Sequence, residues 1–201
     1  MQTVVVATHN DNKVLELTSL LRTNSFQLVS LKEFSIPPVE ETGSTFRENA
    51  LLKAEYATKH TNLPAIADDS GLSVDVLAGE PGVRSARYAG ESATDAENVQ
   101  LLLERLNDKR VNNSPILASF HCVLVFMQLS SDLNPIIASG KWCGLIVEAP
   151  RGNGGFGYDP IFQPLGSNET AAELAPELKN QISHRGRAVA DLNQQLLSRF
   201  G

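Results

Sequence analysis

Two long apolar runs in the second half of the chain constrain its fold more than any other feature. Residues 116–129 and 136–148 are rich in β-branched and aromatic side chains, and only the short segment 130–135 separates them. Runs of this length and composition on either side of a short loop are typical of two long neighbouring strands, which we expect to be antiparallel. The chain is therefore predicted to fold around a β-sheet.

The first half of the chain alternates between short apolar runs and amphipathic segments, which predicts alternating strands and helices. Asn10 is a predicted N-cap, and Thr45 with Glu48 has the spacing of a capping box that opens a second helix. Strands are predicted at residues 3–7, 27–31 and 65–67, and helices at 11–22, from 45 onward, at 93–106 and at 183–200. We therefore expect an α/β fold, a mixed sheet flanked by helices, in which residues 1–201 form one domain.

Composition and charge exclude several classes of function. The net charge of −6 argues against binding to DNA or RNA polymers, whose phosphates require a basic surface. Cys122 and Cys143 lack the spacing of a metal site, so reduced thiols are expected. Because the sequence shows no signal-peptide pattern and no membrane-spanning run, we expect a cytoplasmic protein that does not bind membranes.

Two adjacent acids, Asp68 and Asp69, follow the apolar run 63–67. Carboxylates at the carboxyl end of a buried strand suit a divalent cation better than they suit a core. Neighbouring side chains of an extended segment point in opposite directions, so this pair is expected to supply one ligand. A second pair, Glu40 and Glu41, supplies one more ligand or is solvated surface.

The junction between the first strand and the first helix is a candidate phosphate site. Unpaired N–H groups and the helix dipole favour an anion near residues 8–13, where Lys13 adds a positive charge. The alternative is a solvated lysine beside an ordinary capped turn. Asn49 and Lys53 lie four residues apart and share one face of the second helix. We interpret them as boundary residues in contact with solvent, with phosphate contact as the alternative.

A glycine-rich segment late in the chain carries an aromatic side chain on either side of Gly157. Residues 152–157 match the pattern G-x-G-x-x-G, but Pro160 disfavours the helix that a dinucleotide-binding fingerprint requires. That interpretation is therefore rejected. Phe156 or Tyr158 is instead expected to lie against a purine, and a plain hairpin turn is the alternative.

With these motifs in this order, the chain resembles the Ham1-like family of inosine and xanthosine triphosphate pyrophosphatases. The resemblance runs over nearly the whole sequence. The matching segments are Thr8-x-Asn10-x-x-Lys13, residues 41–50, Lys53-Ala54, residues 67–72, 81–88 and 155–160, and Ser183-His184-Arg185. His9 departs from the glycine of many members, and residues 108–114 match no motif of the family.

The resemblance implies hydrolysis of ITP, dITP and XTP to the monophosphate and pyrophosphate, with Mg²⁺ as cofactor, by a homodimer. It also implies an elongated mixed sheet with two α/β lobes and the substrate in the cleft between them. The alternatives are a Maf-like pyrophosphatase acting on other nucleotides, a nucleotide-binding regulator without turnover, and a phosphatase that releases orthophosphate.

The same resemblance implies site residues, position by position. Asp69 is implied as the proton acceptor and, with Glu41, as a metal ligand, and Asp68 is the alternative to Asp69. The residues implied to bind the triphosphate are Thr8, Asn10, Lys13, Lys53 and Ser70, with His9, Asp11 and Asn12 in the same substrate-binding loop. Those implied to bind the base and sugar are Phe156, Gly157, Tyr158, Asp159, Lys179, His184 and Arg185. Donors of His184 and Arg185 are expected to meet the keto oxygen at C6 of the base.

Overall fold

The computed structural model describes residues 2–21, 26–109 and 114–200. Within these ranges six strands form one sheet, and five α-helices accompany it. The strands are β1 (Gln2–Val6), β2 (Phe26–Ser30), β3 (Ala65–Val74), β4 (Ile116–Met127), β5 (Ile136–Ile146) and β6 (Phe162–Pro164). The helices are α1 (Asp11–Leu20), α2 (Phe46–Thr61), α3 (Asp95–Asn107), α4 (Pro176–Ile182) and α5 (His184–Phe200).

The sheet has the order β2-β1-β3-β4-β5-β6. β1 pairs in parallel with β2 and with β3, whereas β5 and β6 are antiparallel, so the sheet is mixed. The predicted α/β fold with a mixed sheet is therefore confirmed. The two long apolar runs form β4 and β5, which are neighbours as expected. None of the described helices is long and apolar enough to cross a lipid bilayer.

The helix starts follow the local sequence signals. Asn10 caps α1 by accepting a hydrogen bond from the backbone N–H of Lys13. Thr45 and Thr94 each form a complete capping box, the first with Glu48 at the start of α2. Parts of two predictions lie outside the described residues. One is Arg22, the last residue of the predicted first helix, and the other is residues 110–113 of the segment 108–114, which matches no motif of the family.

The prediction that the acid pair ends its strand is wrong. β3 continues to Val74, so Asp68 and Asp69 lie inside the strand rather than at its carboxyl end. β1 pairs with β3 at Ala65 and Ile66, and β4 is its neighbour on the other side. Beyond the two acids, Leu72 and Val74 of the strand are again buried. The two acids are consequently placed at the middle of a strand.

The described residues group into two compact units. The first contains Met1–Asp69, Cys122–Gly140 and His184–Gly201, and the second contains Ser70–His121 and Lys141–Ser183.

The first unit buries both faces of its strands. Val4 and Val6 pack in a cluster with Leu17 of α1 and Leu192 of α5, whereas Val5 packs in a second cluster. That second cluster contains the alanine stripe of α2, which consists of Ala50, Ala54 and Ala57. Alternation between the two faces explains why β1 is an uninterrupted run of apolar residues. It also means that each successive residue of β3 faces a different helix layer.

The second unit has a separate core that is rich in aromatic side chains. Phe162 contacts Phe120 with ring centroids 4.7 Å apart and Trp142 with centroids 5.2 Å apart. Leu102 and Leu106 of α3 are fully buried in the same cluster. This packing fixes α3 within the unit that also carries the glycine-rich segment.

Candidate functional site

The acid pair of β3 sends its two carboxylates to opposite faces of the sheet. Asp68 is fully buried on the face that carries α1 and α5, and Asp69 is 4% exposed on the face that carries α2. Adjacent residues of a strand point in opposite directions, so this division follows from the backbone. Each carboxylate therefore meets a different set of cations, and the two have different chemistry.

Asp68 is enclosed by positive charge. Its Oδ1 lies 2.6 Å from Lys13 Nζ, and its Oδ2 accepts a hydrogen bond of 2.8 Å from Arg185 Nε. Arg185, which is 2% exposed, also forms an ion pair with Glu16 of α1. Burial alone would raise the pKa of Asp68, but Arg185 and Lys13 hold it well below its ordinary value. Asp68 is therefore ionised and fully engaged, which suits charge compensation better than proton transfer.

Asp69 shares a cation with a second carboxylate. Lys53 Nζ lies 2.7 Å from Asp69 Oδ1 and 2.8 Å from Glu41 Oε1. Burial raises the pKa of Asp69, and the negative charge of Glu41 raises it further. The positive charges of Lys53 and Lys13 lower it, but the net result is a raised pKa. Burial opposes the charge of Lys53, but Asp69 and Glu41 together raise its pKa. The ammonium of Lys53 therefore lies between two anions, and the Asp69 carboxylate shares it with Glu41.

The loop that carries Glu41 is held by the start of α2. Asn49 accepts a hydrogen bond of 2.8 Å from the backbone N–H of Gly43, and its amide nitrogen lies 3.4 Å from Asp69 Oδ2. A Cβ at position 43 would approach Asn49 Oδ1 to 2.6 Å, so this close contact requires glycine. Asn49 is completely buried and Lys53 is 8% exposed. The interpretation of this pair as solvated boundary residues is therefore wrong.

The pair Glu41 and Asp69 fits a magnesium ion of the kind that the resemblance implies. One cation, Lys53 Nζ, already lies within hydrogen-bonding distance of both carboxylates, which shows that their oxygens converge on a common position. Magnesium in nucleotide enzymes takes one or two carboxylates and fills its other positions with phosphate oxygens and water.

The strand–helix junction at residues 8–13 is well ordered by its own side chains. Thr8 Oγ1 accepts a hydrogen bond from the Asn10 N–H at 3.2 Å, and His9 Nε2 lies 2.9 Å from the Ile36 carbonyl oxygen. Asp11 forms an exposed ion pair with Lys32, and Asn12 is exposed. The Lys13 side chain is 13% exposed and turned to Asp68, so it is not the freely solvated lysine of the alternative interpretation.

In the second unit, one carboxylate organises the glycine-rich segment. Asp159 Oδ2 accepts hydrogen bonds from the Phe156 N–H at 2.9 Å and from Lys179 Nζ at 2.7 Å. Lys179 Nζ also lies 5.3 Å from the centroid of the Phe156 ring. Gly155 adopts φ +70°, and a Cβ there would come within 2.0 Å of Asp159 Oδ2. The segment therefore depends on glycine for its backbone conformation and for the close approach of Asp159.

The two aromatic residues of this segment have different positions. Tyr158 is buried, and its hydroxyl donates a hydrogen bond of 2.9 Å to the Ser85 carbonyl oxygen. Phe156 is half-buried and is therefore the better candidate for contact with a planar ligand. The residues after the segment form a short 3₁₀ turn, Asp159–Ile161, and not the α-helix that a dinucleotide fingerprint requires.

Sequence reasoning missed several residues of these clusters. Glu16 lies three positions after Lys13 on α1. This spacing places both residues on one face of the helix, and it is the sequence signal that could have identified Glu16. Cys122 Sγ lies 3.3 Å from Asp68 Oδ2, which no local pattern indicates. Asp95 Oδ2 accepts a hydrogen bond of 2.7 Å from the Gly157 N–H, over 62 positions of sequence.

Three other predicted residues lie at element ends or in β3. Ser70 follows Asp69 in β3 and is partly exposed. His184 and Arg185 begin α5, and both are buried. The guanidinium of Arg185 forms ion pairs with Asp68 and Glu16, and its contact with the base stays a prediction.

Comparison with known proteins gives consistent matches. The model of the Ham1 family matches residues 4–195. A protein of Escherichia coli O157:H7 named dITP/XTP pyrophosphatase is 54% identical over 189 residues, covering 94% of this chain and 95% of that protein. A protein of Coxiella burnetii with the same name is 49% identical over 200 residues, covering 100% of this chain and 99% of its own.

Solved structures agree with these matches. A HAM1 protein from Coxiella burnetii has a TM-score of 0.90 and 49% identity, covering 98% of this chain and 100% of its own. The Ham1 protein of Staphylococcus aureus has a TM-score of 0.85 and 39% identity, with the same coverage of both chains. The likeness therefore extends over the full set of elements described above.

Proposed function

The chain belongs to the Ham1 family, and we propose on this basis that it hydrolyses non-standard purine nucleoside triphosphates to the monophosphate and pyrophosphate. Its substrates in this proposal are dITP, ITP and XTP. The two relatives named dITP/XTP pyrophosphatase have 54% and 49% sequence identity to this chain, over 94% and 100% of its length. The observation in the structure that best supports the proposal is the convergence of Glu41 and Asp69 on one cation, Lys53 Nζ.

The charged residues of the first unit have distinct tasks in this reaction. Lys13 and Lys53 supply positive charge for the phosphate oxygens, beside the N-terminus of α1 at residues 8–13. Glu41 and Asp69 are the residues that would hold Mg²⁺. The ion, when bound, neutralises charge on the phosphate oxygens and orients them. Phosphoryl transfer depends mainly on such positioning and charge neutralisation.

Asp69 is the proposed proton acceptor. A water oxygen forms a bond to the α-phosphorus, the bond from that phosphorus to the bridging oxygen breaks, and pyrophosphate leaves. The proton of the water passes to the Asp69 carboxylate. Burial raises the pKa of this carboxyl, which makes it a stronger base than an exposed aspartate. Asp68 is a poor candidate for this role because Lys13 and Arg185 enclose it.

The Phe156 ring of the second unit is the surface that we propose for the purine base. Asp159 holds the backbone beside the ring, and the ammonium of Lys179 lies near the ring itself. Lys179 is a hydrogen-bond donor, so it suits a keto oxygen better than an amino group. A site built around such a bond rejects a ligand that leaves its donor unpaired.

One assay tests the proposed function. The protein is incubated with ITP, dITP, XTP, ATP, GTP and dTTP, with and without Mg²⁺, and the phosphate product is identified. We expect pyrophosphate from ITP, dITP and XTP, only in the presence of Mg²⁺, and little product from the others. Orthophosphate as the first product, binding without turnover, or a preference for dTTP would contradict the proposal.

We further propose that the protein acts in the cytoplasm as a homodimer, as the resemblance to the family implies. Light scattering after size exclusion is expected to give twice the chain mass of 21.8 kDa. A particle of single-chain mass at micromolar concentration would contradict this.

Asp95 is predicted to position the segment that carries Phe156. Asp95→Ala removes the acceptor of the Gly157 N–H, and the loss of one such hydrogen bond is expected to raise KM for ITP by about threefold to tenfold. We expect kcat to change by less than about twofold, because Asp95 does not touch the reacting groups. Steady-state kinetics of pyrophosphate release measures both constants.

Glu97→Ala is the matched control for this prediction. Glu97 lies in the same first turn of α3, but its carboxylate bonds to Thr94 rather than to Gly157. The control should lower Tm through loss of the capping box and leave KM unchanged. An equal rise of KM in both variants would show that Asp95 acts only through the stability of α3, and an unchanged KM in Asp95→Ala would contradict its positioning role.

A further inference from the structure

Lys53 occupies a position between two carboxylates that belong to separate segments. Its Nζ lies 2.7 Å from Asp69 of β3 and 2.8 Å from Glu41 of the loop before α2. The side chains of Lys53, Glu41 and Asp69 are 10%, 25% and 6% exposed. The contact is therefore a largely buried arrangement and not a surface ion pair, of which many contribute little.

The backbone of α2 fixes where this ammonium lies. Ala50 and Ala54 are fully buried against the sheet, so the helix approaches β3 closely on the side of Lys53. Asn49, one turn earlier, ties the helix to Gly43 and to Asp69. The ammonium consequently reaches both carboxylates without displacing the helix.

The two carboxylates that contact the ammonium are also the residues that would hold a metal ion. Mg²⁺ binds carboxylate oxygens at about 2.0–2.1 Å, whereas an ammonium donates hydrogen bonds to them at longer distances. The same oxygens of Glu41 and Asp69 serve either cation. Both cations at contact distance from the same oxygens would repel each other strongly in a largely buried site. Occupation by one therefore opposes occupation by the other.

We propose that Lys53 is a placeholder for the divalent cation, which keeps Glu41 and Asp69 together but closed to metal until the nucleotide arrives. This inference rests on the proposed function, and it concerns the order in which metal and nucleotide bind. The triphosphate offers Lys53 new anionic oxygens, so the ammonium exchanges one set of anions for another. The carboxylates are released for the metal by the same event, and metal and nucleotide enter as one complex.

The exchange needs an anion for a physical reason. Without nucleotide, the departure of Lys53 Nζ would leave an ammonium in a largely buried place without its two partners, which is costly. Divalent cation alone therefore has to compete with a well-held ammonium. The nucleotide-free protein is consequently expected to bind divalent cation weakly, although two carboxylates converge in it.

Binding of Mn²⁺ to the nucleotide-free protein tests the proposal. Free Mn²⁺ is measured by its electron paramagnetic resonance signal during titration of the wild-type protein and of Lys53→Met, which keeps an unbranched side chain without the charge. We expect Lys53→Met to bind Mn²⁺ more tightly than the wild type by about tenfold or more. Affinity equal to or weaker than that of the wild type would overturn the proposal.

Lys13→Met is the matched control. It removes one positive charge, that of a lysine of α1, whose ammonium forms its ion pair with Asp68 and acts on Asp69 only through its charge. We expect its Mn²⁺ affinity to rise by much less than that of Lys53→Met. An equal rise in both variants would overturn the placeholder role, because it would show a general effect of charge.

A second measurement needs no variant. The α,β-methylene analogue of ITP is added to the wild-type protein. This analogue cannot release pyrophosphate, because a methylene group replaces the oxygen between its α- and β-phosphorus atoms. The proposal requires tight Mn²⁺ binding to appear only with this analogue, beyond the Mn²⁺ that the analogue binds by itself. Tight binding to the wild type without analogue would overturn it. Pyrophosphate release by the wild type tests the proposed function separately, since the Mn²⁺ titrations require no turnover.

Discussion

Replacement of Asp69 with asparagine is expected to lower kcat for pyrophosphate release from ITP by about 10³-fold or more. The amide keeps the shape of the side chain but accepts no proton and carries no charge for a metal ligand. General-base assistance alone contributes about 10²–10⁴-fold, and the loss of a metal ligand adds to this. An added inorganic pyrophosphatase converts the released pyrophosphate to orthophosphate. A colorimetric phosphate assay then measures the rate of release and gives kcat.

The same variant is expected to fold normally. Burial raises the pKa of Asp69, so its charged form is not what stabilises the metal-free protein at neutral pH. Asp69→Asn should therefore have a Tm close to that of the wild type, and Lys53 retains Glu41 as a partner. Activity near the wild-type value would remove Asp69 from the catalytic role, whereas a large loss of Tm would make the kinetic result uninformative about catalysis.

Local signals in the sequence were sufficient for the starts of α1 and α2, whereas α4 (Pro176–Ile182) was not predicted. Thr45 with Glu48 and the N-cap Asn10 act within one turn, so their geometry does not depend on the rest of the fold. The neighbouring strands β4 and β5 were also predictable, because a short connection between two long apolar runs leaves few other arrangements.

Charge compensation over long sequence distances was not predictable in the same way. Asp68 lies inside β3 because Lys13 and Arg185, which are 55 and 117 positions away in the sequence, neutralise it. The two polar residues Asp68 and Asp69, considered by sequence alone, therefore indicated the end of the strand. Lys53 was interpreted as solvated for the same reason, since its partners Glu41 and Asp69 belong to other elements.

The roles of individual side chains depended on contacts that no motif contains. From the sequence, Phe156 and Tyr158 are equal candidates for contact with a planar ligand, and the burial of Tyr158 and its hydrogen bond to Ser85 separate them. Arg185 belongs to a motif that implies contact with the base, but its guanidinium contacts Asp68 and Glu16. A motif thus identifies the residues of a site more reliably than it identifies what each residue touches.

Arg185→Met is expected to be the most destabilising substitution among the site residues. It removes the ion pair of the buried Asp68 carboxylate with Arg185 and keeps the one with Lys13, and removal of one partner of a buried pair costs about 3–5 kcal/mol in free energy of unfolding. Urea denaturation at pH 7, followed by circular dichroism, measures the loss. Arg187→Met, an exposed substitution on the same helix, should change the free energy of unfolding by less than about 0.5 kcal/mol.

The pH dependence of this loss identifies its cause. In the wild type, the pKa of Asp68 lies well below its ordinary value, so its stabilising contribution is present above the pKa of an unfolded aspartate, about 3.9, and is lost as pH falls further. Without Arg185, Lys13 alone opposes the burial that raises the pKa of Asp68, so this pKa is higher in the variant than in the wild type. The difference in free energy of unfolding between wild type and Arg185→Met should therefore shrink as pH falls through the pKa of Asp68 in the variant. Asp68→Asn combined with Arg185→Met should recover part of the loss at pH 7, whereas a loss independent of pH and unrelieved by Asp68→Asn would assign it to packing.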